Sequence, residues 1–227
     1  MDQWVSFRKQ VQEMAQDMFK RGLVGTASGN ASIRIAGREL IAITPTRIPY
    51  DRLTRDDIVI VDFCGESVLG EELPSSELML HTEAYKARDD VGAVLHTHST
   101  FATVAAVAGL EIPPIMDEMV VYLGGAVRVA EYAFPSSQEL ARNAMKAMGN
   151  RSAVLLRNHG VLGVGRTPEE VLEVCEILER TSRVFVYARL LGAAHLLPPE
   201  VVKFEEGIFE MGKLIGGGHA TTKETLY

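Results

Sequence analysis

At 227 residues the chain is long enough to bury a full core, and the length suits one α/β domain. Nearly half of its residues (47%) are apolar and 23% are charged, a globular balance that excludes a disordered polypeptide. A formal charge of −7 with no run of lysine or arginine argues against nucleic acid as a partner, although a small anion held by local donors remains compatible with it.

The chain opens on MDQWVSFRKQVQEM, which is amphipathic and charged throughout. It has neither the apolar stretch of a signal peptide nor a run long enough to span a bilayer, so no membrane association and a cytoplasmic location are expected. Trp4, Phe7, Val11, Met14, Ala15 and Met18 fall at helical spacing over residues 3–21, with Gly22 as a stop. The period then changes to two. Asn30–Ile35 and Glu39–Thr44 read as strands joined at Ala36-Gly37, and Ile58–Asp62 as a third strand before a turn at Cys64-Gly65. A helix is predicted to open at Pro74-Ser75-Ser76, followed by a strand over Val91–Thr97, a helix over Thr100–Ala108 and a strand over Ala126–Tyr132.

Residues 136–148 form a predicted helix with Ser136 and Glu139 as its capping box. Ser152–Leu156 and Val161–Val164 read as strands around Arg157-Asn158-His159-Gly160. The longest helix starts at Thr167-Pro168-Glu169-Glu170 and runs to about Leu191, and another follows Pro198-Pro199. Strands and helices are interspersed without βαβ regularity, so the expected fold is α/β, a single-domain mixed, largely antiparallel sheet covered by helices. Residues 1–215 form the expected domain and 216–227 a flexible tail. Cys64 and Cys175 lie far apart without metal-type spacing and read as reduced thiols.

Five segments carry candidate chemistry. His96 and His98, as His-Thr-His at the end of an apolar strand, point to one face of it and are placed to chelate one ion. His159 follows another apolar strand and precedes a glycine that permits close backbone approach. Three imidazoles with an open position make a catalytic-type metal site, with Zn2+ or another divalent metal such as Mn2+ or Co2+ as cofactor. Pro74-Ser75-Ser76-Glu77 fits an ordinary capped helix start and equally an anion cradle. Gly29-Asn30 and Thr46-Arg47 sit in turns beside strands and add further neutral donors and one cation without a Walker-type loop. His81 reads as a packing residue or as a support behind the site residues, and His195 and His219 as loop and tail residues.

With T-A-S-G-N at 26–30, I-T-P-T-R-I-P-Y at 43–50, L-P-S-S-E at 73–77, H-T-H at 96–98 and N-H-G at 158–160, the chain resembles the class II aldolase/adducin-head family, most closely its L-fuculose-1-phosphate aldolase branch. The resemblance covers about residues 22–190. It implies a homotetramer with active sites at subunit interfaces and a sugar phosphate as substrate. It implies a metal on His96, His98 and His159 with Glu77 reaching it at rest, phosphate contacts from Gly29, Asn30, Thr46, Arg47, Ser75 and Ser76, and Glu77 as proton donor and acceptor. Arg47 stands where such aldolases carry glycine. No tyrosine matches the one that the family uses from the neighbouring subunit, and Asp117 is the candidate second proton donor there. A tail ending at Tyr227 is expected to close over the site. Sugar-phosphate 4-epimerases, dehydratases and decarboxylases share much of this constellation, and adducin heads use the fold for assembly; these remain the alternatives.

Overall fold

The computed structural model describes residues 3–216. Helix α1 (Val5–Lys20) buries Val11, Met14, Ala15 and Met18, the stripe its spacing predicts. It ends at Gly22, which takes φ +71 while the Leu23 N–H reaches back to the Met18 carbonyl at 3.1 Å. That left-handed stop satisfies carbonyls the helix would otherwise leave open.

Strands β1 (Asn30–Ile35), β2 (Leu40–Ile43), β3 (Val59–Asp62) and β4 (Ser67–Leu69) form an antiparallel meander. Helix α2 (Leu78–Ala87), strand β5 (Ala93–Thr97), helix α3 (Thr100–Ala108) and helix α4 (Asp117–Leu123) follow. Strand β6 (Val129–Ala130), helix α5 (Gln138–Met148), strands β7 (Ala153–Leu156) and β8 (Gly160–Gly165), and helices α6 (Pro168–Leu190) and α7 (Pro199–Gly216) complete the chain. One sheet runs β4-β3-β2-β1-β5-β8-β7-β6, antiparallel except for β6 beside β7. The expected single-domain α/β fold is therefore the observed one.

Helices cover both faces, which is why the central strands are buried at nearly every residue. On one face α1 and α6 pack Val11, Met14 and Cys175 against Ile33, Ile60 and Leu95. On the other, α2 and α5 pack Leu80, Tyr85, Leu140 and Ala144 against Ile41, Val94, Val154 and Leu162. Strand alternation sorts neighbours such as Val94 and Leu95 between the two cores. Helix α6 begins as its sequence predicts, with the Thr167 hydroxyl accepting the Glu170 N–H at 3.3 Å and Pro168 in the first turn.

Four local expectations are corrected. Ser137, not Ser136, caps α5 by accepting the Leu140 N–H at 3.1 Å, because Ser136 sits at φ +64, outside the extended conformation an N-cap needs. Helix α2 begins at Leu78, with the Ser75 hydroxyl accepting the Glu77 N–H. The strand expected over 126–132 shrinks to Val129–Ala130, and α4 and β4 appear where no element was expected. Gly216, expected to open the tail, closes α7, and residues 217–227, with Tyr227 and His219, lie outside the described residues. Among the described residues no helix is long and apolar enough to cross a membrane.

Candidate metal and phosphate site

Strand register brings the three histidines together. Asn30 of β1 pairs with His96 of β5, and Thr97 pairs with Val161 of β8, so the end of β5 lies beside the β7–β8 turn that carries His159. The ring centroids of His96, His98 and His159 lie 4.7 to 5.3 Å apart. One ring nitrogen from each falls within 4.8 Å of the others. Gly160 permits this approach: a Cβ there would stand 2.4 Å from the Thr97 carbonyl oxygen and 3.0 Å from His98 Cδ2.

The imidazoles are held neutral. Burial, then the fields of His159 and His98, push His96 well below the ordinary histidine range, against a hydrogen bond to Val161 that favours the proton. Burial and His159 lower His98; burial lowers His159, opposed by the Glu77 carboxylate. His96 Nδ1–H donates to the Val161 carbonyl at 2.8 Å, which leaves its Nε2 lone pair facing His98 Nε2 at 2.9 Å. His159 Nδ1 is buried without a hydrogen-bond partner among the described residues. Neutral, converging nitrogen donors with one orphaned buried nitrogen fit a divalent metal of the zinc type.

The same cavity, about 180 Å³, is lined by Gly29, Asn30, Thr46, Arg47, Ser75, Ser76, Glu77 and the three histidines. Its far wall is two loops bonded to each other: the Ser75 N–H reaches the Thr44 carbonyl at 3.1 Å and the Thr46 N–H the Leu73 carbonyl at 2.9 Å. Gly29 takes φ +74, and a Cβ there would meet the His96 carbonyl oxygen at 2.5 Å. The buried Tyr50 hydroxyl donates to the Gly29 carbonyl at 2.7 Å and fixes this turn. Larger clefts of about 390 and 480 Å³ lie along α6, but neither holds a histidine or a glycine-rich turn.

Glu77 is buried on this cavity's wall. Its carboxylate accepts the Ser136 N–H at Oε2 and the Ser136 hydroxyl at Oε1, each at 3.2 Å, and stands apart from the group the three imidazoles form. Sequence reasoning missed Ser136; two serines before one helix, where a single cap suffices, were the available signal. The three non-glycine residues with positive φ among those described, Arg47, Ser136 and Asn158, all adjoin this site. Backbone strain concentrates where function holds it in place. Asp117 does not line the cavity. It begins α4 near Glu205 of α7, whose acidity is weakened by burial and by the Asp117 charge.

Residues 9–186 match the family described as Class II Aldolase and Adducin N-terminal domain. The chain belongs to that family. A 5-deoxy-D-ribulose 1-phosphate aldolase of Bacillus thuringiensis serovar kurstaki is 33% identical over 85% of the chain and 90% of the relative. A 5-methylthioribulose-1-phosphate/5-deoxyribulose-1-phosphate aldolase of Rhodospirillum rubrum is 32% identical over 93% of both. A solved L-fuculose 1-phosphate aldolase superposes with a TM-score of 0.86 at 35% identity, covering 90% of this chain and 96% of its own. The class II aldolase scaffold thus extends across nearly all the described residues.

Proposed function

We propose that this class II aldolase is a metal-dependent lyase that cleaves a ketose 1-phosphate reversibly to dihydroxyacetone phosphate and an aldehyde. The observation that carries the reading is one cavity that joins three neutral imidazoles to a cradle of hydroxyls and turn N–H groups, with Glu77 on its wall. In support, the similar proteins reported above are named for ketose 1-phosphates.

The residues divide the work. Gly29, Asn30, Thr46, Ser75 and Ser76 bind the phosphate through neutral donors, and Arg47 adds a charge-assisted contact. His96, His98 and His159 would hold a divalent cation, Zn2+ or another such as Mn2+ or Co2+, and the expected resting contact from Glu77 would require its carboxylate to leave Ser136. When bound, that ion supplies the Lewis acidity that stabilises negative charge on the substrate oxygens as C3–C4 breaks. Glu77 returns a proton to C3 of the dihydroxyacetone phosphate half in cleavage and removes it in synthesis. The cradle fixes the phosphate end of the substrate, which restricts the geometries in which the reacting carbons meet Glu77. The protein works in the cytoplasm as a homotetramer with sites at subunit interfaces, and Asp117 serves as second proton donor from a neighbouring subunit, giving its proton to the aldehyde oxygen in synthesis and taking the C4 hydroxyl proton in cleavage.

The test is a panel of ketose 1-phosphates, including 5-deoxyribulose 1-phosphate and L-fuculose 1-phosphate, with dihydroxyacetone phosphate release coupled to NADH oxidation. Release that is lost on chelation and restored by added metal is expected, and Glu77→Gln retains metal while losing nearly all turnover. Turnover of a pentulose 5-phosphate in place of every 1-phosphate would transfer the site to 4-epimerisation. A protein with neither stoichiometric metal nor activity would be an adducin-like binding module.

A further inference from the structure

Behind the phosphate side of the cavity, a buried chain of polar side chains joins α2 to β1. His81 is fully buried, with Nδ1 2.6 Å from Ser32 Oγ and Nε2 2.5 Å from Asn30 Oδ1. Ser32 Oγ lies 2.8 Å from Tyr85 Oη, and the Arg34 guanidinium stacks 5.2 Å above the Tyr85 ring. Apolar side chains would fill the same volume without the desolvation that this chain entails, so burial alone does not account for it.

The hydrogen bonds run in one direction. Burial pushes His81 down to about 3, so the neutral ring carries a single N–H. Tyr85 is buried too, and the side-chain acceptor within reach of its hydroxyl proton is Ser32 Oγ. Tyr85 therefore donates to Ser32, Ser32 donates to His81 Nδ1, and His81 Nε2–H donates to Asn30 Oδ1. The reverse order would leave the Tyr85 proton without an acceptor in a dry site. With Oδ1 engaged inward, Asn30 presents its amide nitrogen and two protons to the cavity it lines.

We infer that His81 is a positioning residue which, through Ser32 and Tyr85, locks the Asn30 amide with its donor side toward the bound phosphate. A free asparagine amide turns over and offers an anion its carbonyl oxygen; the locked one offers donors only. The inference rests on the phosphate assignment proposed above, and it names what gives that assignment its polarity.

Titration calorimetry of inorganic phosphate into the metal-loaded, full-length protein tests it. His81→Leu is expected to raise the Kd roughly tenfold, the value of one well-made hydrogen bond to a charged ligand. His81→Gln, which returns an N–H donor toward Asn30, recovers most of that loss. The double variant His81→Leu/Asn30→Ala binds no more weakly than Asn30→Ala alone, whereas a merely structural role would add its loss to that of Asn30→Ala. On the substrate that the aldolase assay identifies, KM rises more than kcat falls. If His81→Leu does not fold, Ser32→Ala keeps the ring but frees its tautomer and raises the Kd about threefold; an unchanged Kd there overturns the inference. Thr46→Ala and Ser75→Ala keep the two readings apart. If neither weakens phosphate binding, the cradle assignment fails and the positioning role with it. If both weaken it while the His81 variants do not, or while their losses add to Asn30→Ala, the positioning role alone is overturned.

Discussion

Ser136 spends both of its hydrogen-bond donors on Glu77, the backbone N–H on Oε2 and the hydroxyl on Oε1. It does so from φ +64, a left-handed conformation that costs a non-glycine residue on the order of 1–2 kcal/mol. A cost of that kind persists where the surroundings fix it, and here it fixes the direction of the proposed acid/base. Ser136→Ala retains the N–H and the strain but loses the hydroxyl. We expect kcat to fall about tenfold with metal content unchanged, since one donor to a charged group is worth roughly 1.5–3 kcal/mol at best and this contact is long. Steady-state kinetics alongside metal analysis measures both; wild-type kcat in Ser136→Ala would leave the clamp without a catalytic role.

Much of this was legible in the sequence because it is local. Alternation put His96 and His98 on one side of a strand end, and the Thr167-Pro168 start of α6 follows from cap chemistry within four residues. What stayed hidden depends on contacts across elements. Asn30 and Ser32 share a strand face, and His81 and Tyr85 share a helix face, but only the packing of α2 on the sheet makes them one chain of hydrogen bonds. Ser136 and Ser137 are the same residue type side by side, and only the backbone angle separates cap from clamp. Helix α4, seven residues after a double proline, is too short to display a period.

Gly160 sets the spacing of the histidines through a steric limit. A Cβ at that position meets backbone on one side and the His98 ring on the other. Gly160→Ala must therefore move β8 or the His98 ring by several tenths of an ångström. Metal affinity should drop 10–100-fold, the range seen when the groups that orient metal ligands are disturbed. The measurement is competitive titration against a chromophoric chelator. Wild-type affinity in Gly160→Ala would mean that the histidines do not depend on this approach.

Arg47 trades stability for charge. Its φ of +66 suits glycine, so Arg47→Gly relieves left-handed strain, partly offset by the greater freedom of glycine in the unfolded chain. A Tm equal to the parent or a few degrees higher is expected. Phosphate affinity should fall at the same time by about three- to tenfold, a modest loss because the side chain is exposed. Arg47→Ala keeps the strain and loses only the guanidinium, so it should match the loss of affinity without the gain in Tm. Phosphate affinity that survives both substitutions would remove Arg47 from the cradle.

His81 also makes stability depend on pH in a definite direction. Its folded value is about 3 against an ordinary 6.5, because burial disfavours the charged ring. Between those limits the unfolded state binds a proton that the folded state refuses, so stability rises with pH across the window. The contribution is complete above 6.5 and is lost as pH falls toward 3, at up to about 1.4 kcal/mol per pH unit. Comparison with His81→Gln isolates this one proton, because the lowered values of His96, His98 and His159 act equally in both proteins. Urea unfolding from pH 6.5 to 5 should cost the wild type roughly 2 kcal/mol more than the variant. Parallel pH dependences would show that the folded ring accepts a proton in that range, and the one-way chain from Tyr85 to Asn30 would have to be redrawn.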